Sequence, residues 1–254
     1  MWITGASSGL GEALAYAFSG EGARLVLSAR RTNELERVRD GCPGDKHGVV
    51  VLPLDLAEVD SLNGKAEQAL AAFGRVDILV NNGGLGTRGR ALEIPVELDD
   101  RLLRVNYLSA VALTKAVLPS MIERKQGHIV VISSISGKFG LPGSAAYAAT
   151  KHALHGFFDS LRAEVWRDGI RVTIVCPSYV RTNISIHALK PDGTPLGKMS
   201  RAHANAMSAE AAAARILTAV ARAKEEVYIG REAWAVHLHR LAPGLFRRAV
   251  RRFR

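Results

Sequence analysis

The sequence predicts an α/β fold, a single-domain doubly wound parallel sheet of about seven strands with helices on both faces. Two observations predict it. Short β-branched apolar runs alternate with helix-like segments along the whole chain, and a glycine-rich turn joins the first run to the first helix. A length of 254 residues suits one such domain, and 48% hydrophobic residues supply its core, which excludes global disorder.

The elements follow in order. A short run at residues 1–3 opens the chain, and strand candidates follow at 24–29, 48–53, 76–81, 128–134, 170–176 and 226–230. Helical stretches lie between them at 11–19, 57–73, 98–124, 145–168 and 208–224. The first run is shorter than its neighbours, and we read it as a trimmed start. Right-handed crossovers then place the site at the carboxyl ends of the strands. Residues 183–207 exceed an ordinary connection and read as a substrate lid; Ile184, Ile186, Leu189, Leu196 and Met199 give it an apolar character. Residues 1–230 form the expected catalytic body and 231–254 a basic tail.

No apolar run reaches the roughly 18 residues of a spanning helix, and no signal-peptide pattern opens the chain. Cys42 and Cys176 lie far apart, without disulfide or metal-ligand spacing. The expectation is a cytoplasmic protein without a metal. Of the net charge of +10, residues 231–254 carry +6, seven arginines against Glu232. A near-neutral body with a basic tail, lacking any base-reading module, is not expected to bind nucleic acid.

The turn reads Thr4-Gly5-Ala6-Ser7-Ser8-Gly9-Leu10-Gly11. Glycine permits positive φ and close backbone approach, and a helix amino terminus offers unpaired N–H groups to a diphosphate. The second strand ends Ser28-Ala29-Arg30-Arg31, where NAD enzymes place an acid against the ribose. Two guanidinium groups suit a 2′-phosphate, so NADP(H) is expected and NAD disfavoured.

Tyr147 and Lys151 share one helix face at a spacing of four. An ammonium beside a phenol favours the phenolate, so Lys151 is expected to lower the pKa of Tyr147. Ser134 ends a strand, where its hydroxyl can hold a substrate oxygen.

Together these motifs resemble the short-chain dehydrogenase/reductase superfamily. The likeness covers Thr4–Gly11, Asp55, Asn81-Asn82-Gly83-Gly84, Asn106, Ser134, Tyr147, Lys151 and the stretch from Pro177 to Thr182. Residues 112–120, 126–137 and 241–246 look most like its member-seven branch. The resemblance implies an NADP(H)-dependent oxidoreductase moving a hydride between nicotinamide and a carbonyl or secondary alcohol carbon, with Ser134, Tyr147, Lys151 and Asn106 catalytic. It implies that Gly5, Ser7, Ser8, Gly9, Leu10 and Gly11 cradle the cofactor. Asp55 and Leu56 meet its adenine end, and Asn82 and Gly83 hold the adjoining strand. Lys151 binds the nicotinamide ribose, with Pro177, Val180 and Thr182 at the nicotinamide. Asn106 keeps a relay water; mid-helix asparagine is locally unfavourable, which supports a role. A homodimer or homotetramer is implied, pairing through the helices that carry Asn106 and Tyr147.

The family usually has alanine where Gly83 stands, so the strand end is expected to loosen. It usually has glycine where Ser178 stands, so this side chain is expected to narrow the nicotinamide pocket or shift Tyr179. A cofactor-binding scaffold without turnover is the alternative, against which the intact Ser134, Tyr147 and Lys151 argue. In the tail, Leu245, Phe246, Ala249, Val250 and Phe253 share one helical face, with Arg247, Arg248, Arg251, Arg252 and Arg254 on the remainder. That stripe either docks on the body or lies peripherally on an anionic membrane.

Overall fold

The computed structural model describes residues 1–44 and 46–252. A seven-stranded sheet, all neighbours parallel, is assembled from β1 (Trp2–Thr4), β2 (Leu25–Ser28), β3 (Val49–Val51), β4 (Ile78–Asn81), β5 (Gly127–Ile132), β6 (Ile170–Pro177) and a last strand Glu226–Ile229. The order is β3-β2-β1-β4-β5-β6 followed by the last strand. The winding therefore reverses between β1 and β4, and a crevice opens at the carboxyl ends of those strands.

Alternation along each strand builds two cores. Trp2 and Ile3 are fully buried on opposite faces. Ile3, Leu27 and Val130 pack against α1 (Gly9–Gly20), α2 (Thr32–Gly41) and a later helix, Ala209–Ala221. Trp2, Leu79 and Ile129 pack against α3 (Leu62–Phe73) and the helices Ser109–Glu123 and Ala145–Val165. The run at 1–3 is thus a core strand, and α2, which the periodicity did not mark, buries only Leu35 and Val38.

The stretch expected as one helix at 98–124 is α4 (Val96–Leu103), a π-helical turn (Arg104–Leu108) and α5 (Ser109–Glu123). Contrary to the expectation that no apolar run reaches spanning length, the composite Val96–Glu123 is long and apolar enough to cross a membrane by length and composition, with mean hydropathy 1.3 over its most apolar part. Here it is a core helix, burying Leu98, Leu102, Leu113, Val117 and Met121. After α6 (Ala145–Val165) and β7 (Val180–Arg181), the stretch expected as a lid holds α7 (Ile184–His187) and α8 (Arg201–Ala204) and runs into β8 (Met207–Ser208), which pairs with β7. Next come α9 (Ala209–Ala221) and β9 (Glu226–Ile229).

The chain closes with α10 (Trp234–Leu241) and α11 (Pro243–Val250). Phe246 is buried and stands edge-on to Phe139 at 4.7 Å and to His239 at 4.9 Å, in a cluster with Ile135 and Val236. The tail is docked on the body. Leu245 and Ala249 face outward, so the expected stripe is divided; its last residue, Phe253, and Arg254 lie outside the described residues.

Candidate active site

The β1–α1 turn is shaped by atoms it lacks. Gly5 and Gly9 have φ of 66° and 59°, where side chains are strained. Gly11 has ordinary φ, but a Cβ there would collide with the Gly5 carbonyl oxygen and stand 2.6 Å from Asn82 Nδ2. Asn82 Nδ2 donates to the Thr4 carbonyl at 2.9 Å, and the Thr4 hydroxyl accepts from the N–H groups of Asn82 and Gly83 at 3.0 and 3.1 Å. Thr4 thus pins β1 to β4 at the crevice. It has no place among the sequence-derived site residues; a hydroxyl at a strand end before glycine was the available signal. Ser8 caps α1 without a side-chain bond to its first N–H groups, and Leu10 stands beside it on the first turn. The turn therefore fits a diphosphate.

Arg31 reaches over this turn, its Nη2 donating to Ser7 Oγ at 3.2 Å, while Arg30 is exposed beside it. The Leu54 N–H donates to the Ala29 carbonyl, which brings Asp55 alongside the arginines; Asp55 Oδ1 accepts the Ala57 N–H at 3.0 Å. The place of a Cβ on Gly83 is taken by Leu56 Cδ1. The strand end is filled rather than loosened, contrary to expectation.

Across the crevice, Ser134 sits just beyond β5, its hydroxyl donating to the Pro177 carbonyl at 3.3 Å and near enough to the Tyr147 phenol to draw its pKa down. On α6, Lys151 is buried, with Nζ 5.6 Å from the Tyr147 ring centroid and donating to the Ile132 carbonyl at 2.8 Å. Burial pushes the phenol up to about 12, only partly offset by Ser134, and the same burial pushes the Lys151 amine down to about 8. The expected lowering of the phenol is not found: burial is the dominant influence on both groups and moves the phenol up.

Asn106 lies in the π-helical turn. Its Oδ1 accepts the Leu85 N–H at 2.7 Å, and its Nδ2 donates to the Leu85 carbonyl and to Thr150 Oγ1 at 2.9 and 3.0 Å. Thr150 in turn donates to the Tyr147 carbonyl at 2.8 Å, a link the sequence reading missed because a threonine inside a helix carries no pattern. Asn106 Oδ1 and Lys151 Nζ flank the same open side of Gly84, at 3.3 and 3.8 Å from the point a Cβ would occupy.

The crevice is bounded by Pro177, buried Val180, and Thr182, whose side chain would stand 3.1 Å from a Cβ on Gly9. From the lid, Leu189 is buried with Ile94, Leu98 and Leu102, and Tyr147, Leu85 and Ala146 pack against them. Ser178 does not narrow this space. Its hydroxyl points the other way, donating to Glu232 at 2.7 Å over Gly230, while Tyr179 stacks edge-on with His203.

A family model described as short chain dehydrogenase matches residues 1–192. The chain is 48% identical to the dehydrogenase/reductase SDR family protein 7-like of Anopheles gambiae, over 96% of this chain and 79% of that protein. Among solved structures, a short-chain dehydrogenase from Streptomyces avermitilis superposes with TM-score 0.84 at 31% identity, covering 100% of this chain and 97% of its own. The closed form of a serine dehydrogenase complexed with NADP+ superposes with TM-score 0.80 at 28% identity, covering 91% and 94%.

Proposed function

The chain belongs to the short-chain dehydrogenase family of oxidoreductases acting on CH–OH carbons, and from that premise we propose that it interconverts an apolar carbonyl compound and its secondary alcohol with NADP(H). The observation that carries the reading is the meeting of Ser134, Tyr147 and Lys151 at the carboxyl edge of the sheet, opposite the glycine turn.

The bound nicotinamide supplies or accepts the hydride. Tyr147 holds a proton on its phenol oxygen throughout the neutral range and hands it to the substrate oxygen during reduction. Ser134 orients that oxygen by hydrogen bonding. Lys151, cationic below about pH 8, draws a phenolate toward stability once the proton has left. Asn106 faces the same gap as Lys151 and holds its relay water.

NADP(H) is favoured over NAD by Arg31 at the turn and Arg30 beside it, with no acid at that strand end; the serine dehydrogenase neighbour binds NADP+. Gly5, Ser7, Ser8, Gly9, Leu10 and Gly11 hold the diphosphate. Asp55 and Leu56 take the adenine side, and Asn82, Gly83, Pro177, Val180 and Thr182 the nicotinamide side. The apolar wall of Leu85, Ala146 and Leu189 around Tyr147 favours an apolar substrate beneath a lid at 183–207. We take 1–230 as the catalytic body and 231–254 as a unit docked on it, in a reducing, cytoplasmic setting suited to the free thiols Cys42 and Cys176. A peripheral contact with anionic membrane would use the outward Leu241 and Leu245; Phe246 is committed to the body, so docking is the reading carried forward. Pairing into a homodimer or homotetramer uses the helices bearing Asn106 and Tyr147, where Leu103 and Leu108 are exposed.

The test is cofactor oxidation against a panel of apolar ketones and aldehydes, with NADPH and NADH in parallel. Turnover with NADPH is expected, and Tyr147→Phe should bind NADPH normally while losing about 10²–10⁴-fold in rate. Wild-type turnover in that variant would overturn the mechanism, and equal affinity for both cofactors would remove Arg31 and Arg30 as phosphate ligands.

A further inference from the structure

Behind the catalytic elements, the geometry points to a binding site for a zinc-class divalent cation formed by His155, Cys176 and Glu226, a site independent of the reading above. His155 lies one helical turn beyond Lys151 on α6, Cys176 immediately precedes Pro177 on β6, and Glu226 opens β9. Cys176 Sγ stands 3.6 Å from His155 Nε2 and 3.7 Å from Glu226 Oε1, and one ligand atom from each residue falls within 4.8 Å of the others. A tetrahedral zinc ion, with bonds of about 2.3 Å to sulfur and 2.0–2.1 Å to nitrogen or oxygen, separates sulfur from its neighbours by about 3.6 Å. A thiol, an imidazole and a carboxylate are a donor set that selects zinc or cobalt over magnesium or calcium.

A second observation points to a ligand. His155 is 7% exposed, and its Nδ1 is buried without a hydrogen-bond partner among the described residues. Buried imidazole nitrogens are ordinarily satisfied. The Tyr228 hydroxyl donates to Glu226 Oε2 at 2.9 Å and fixes the carboxylate, leaving Oε1 turned inward. That oxygen is held by the Lys138 ammonium at 2.5 Å, so the metal must displace Lys138, whose side chain is partly exposed and free to swing outward. On binding, the Cys176 thiol gives its proton to solvent as the sulfur–metal bond forms, and water completes the fourth position. The metal would clamp α6, β6 and β9 directly behind Lys151 and Pro177.

The experiment is titration of the full-length protein with cobalt(II), followed by zinc displacement, with far-ultraviolet circular dichroism as the fold control. We expect one equivalent of cobalt with thiolate charge-transfer absorption in the near ultraviolet, bleached by zinc. Cys176→Ala should remove the band. Lys138→Met should tighten binding about tenfold or more by removing a like charge. Should Cys176→Ala misfold, Glu226→Gln, on a half-buried strand end, should weaken binding about tenfold or more with the fold intact. Absence of the thiolate band in both wild type and Lys138→Met at saturating cobalt would overturn the site. So would a band that survives in folded Cys176→Ala, or equal affinity in Glu226→Gln and wild type.

Discussion

The glycine turn at one end of the chain and the helical cap at the other are built on opposite physical terms. Between residues 4–11 and 82–84 the structure depends on missing atoms: Gly11 has no room for a Cβ, and Gly5 would bring one within 2.7 Å of the Gly83 Cα. The cap depends on large side chains that are present, with Phe246 from α11 set against Phe139 from the loop after Ser134. An absence is a local property, readable in eight consecutive residues. A packed pair is a property of two surfaces more than 100 positions apart, and neither half announces the other.

Three substitutions sharpen that contrast. The largest effect is expected for Gly11→Ala, since the obstructing atoms are backbone and cannot step aside. Overpacking should cost about 3 kcal/mol in stability, with NADPH affinity falling about tenfold or more, read by chemical denaturation and cofactor fluorescence. Wild-type affinity in this variant would mean the turn relaxes more freely than its contacts allow. Phe246→Ala should cost about 2 kcal/mol, below the value for a central core residue because the cap lies at the rim, while leaving NADPH affinity unchanged. An unchanged melting temperature would show that the cap is docked without being held.

The smallest expected effect is in Lys151→Met. The amine falls from 10.5 to about 8 on folding, so between those values the unfolded chain binds more protons and wild-type stability rises with pH. Below about pH 8 the folded protein bears the full penalty of the buried charge. The variant should therefore be more stable at pH 7, by about 1 kcal/mol once the lost bond to the Ile132 carbonyl is counted, and its advantage should shrink as pH rises toward 10.5. A gain that grows with pH would reverse the sign argued here. The expected result would mean that this one side chain keeps its function at the expense of stability.

The same contrast explains what the amino-acid order revealed. The doubly wound sheet follows from alternating apolar runs, and the meeting of Ser134, Tyr147 and Lys151 follows from a strand end and a helix spacing of four. The direction of Ser178 did not follow, because Glu232 and Gly230, which draw its hydroxyl away, come from a distant turn. Nor did the acid strength of Tyr147, because attraction by Lys151 is visible as a spacing whereas the loss of water around both is a property of the assembled crevice. Thr4 and Thr150 escaped for a related reason: a hydroxyl that ties one segment to another, β1 to the Asn82 and Gly83 N–H groups or the Asn106 amide to the Tyr147 carbonyl, has no periodicity.

The π-helical turn at Arg104–Leu108 has a consequence for how one long rod can serve one face of the sheet. At 100° per residue, an uninterrupted α-helix would aim the stripe of Leu98 and Leu102 roughly 85° away from that of Ala110, Leu113, Val117 and Met121. A turn closed by i→i+5 bonds absorbs one additional residue, about 100° of rotation, and swings the two stripes back into line. The turn acts as a phase corrector. Removing a single residue from 104–108 would restore regular helix and leave the two stripes in line, whereas straightening the turn at its full length would throw one of them out of the interior.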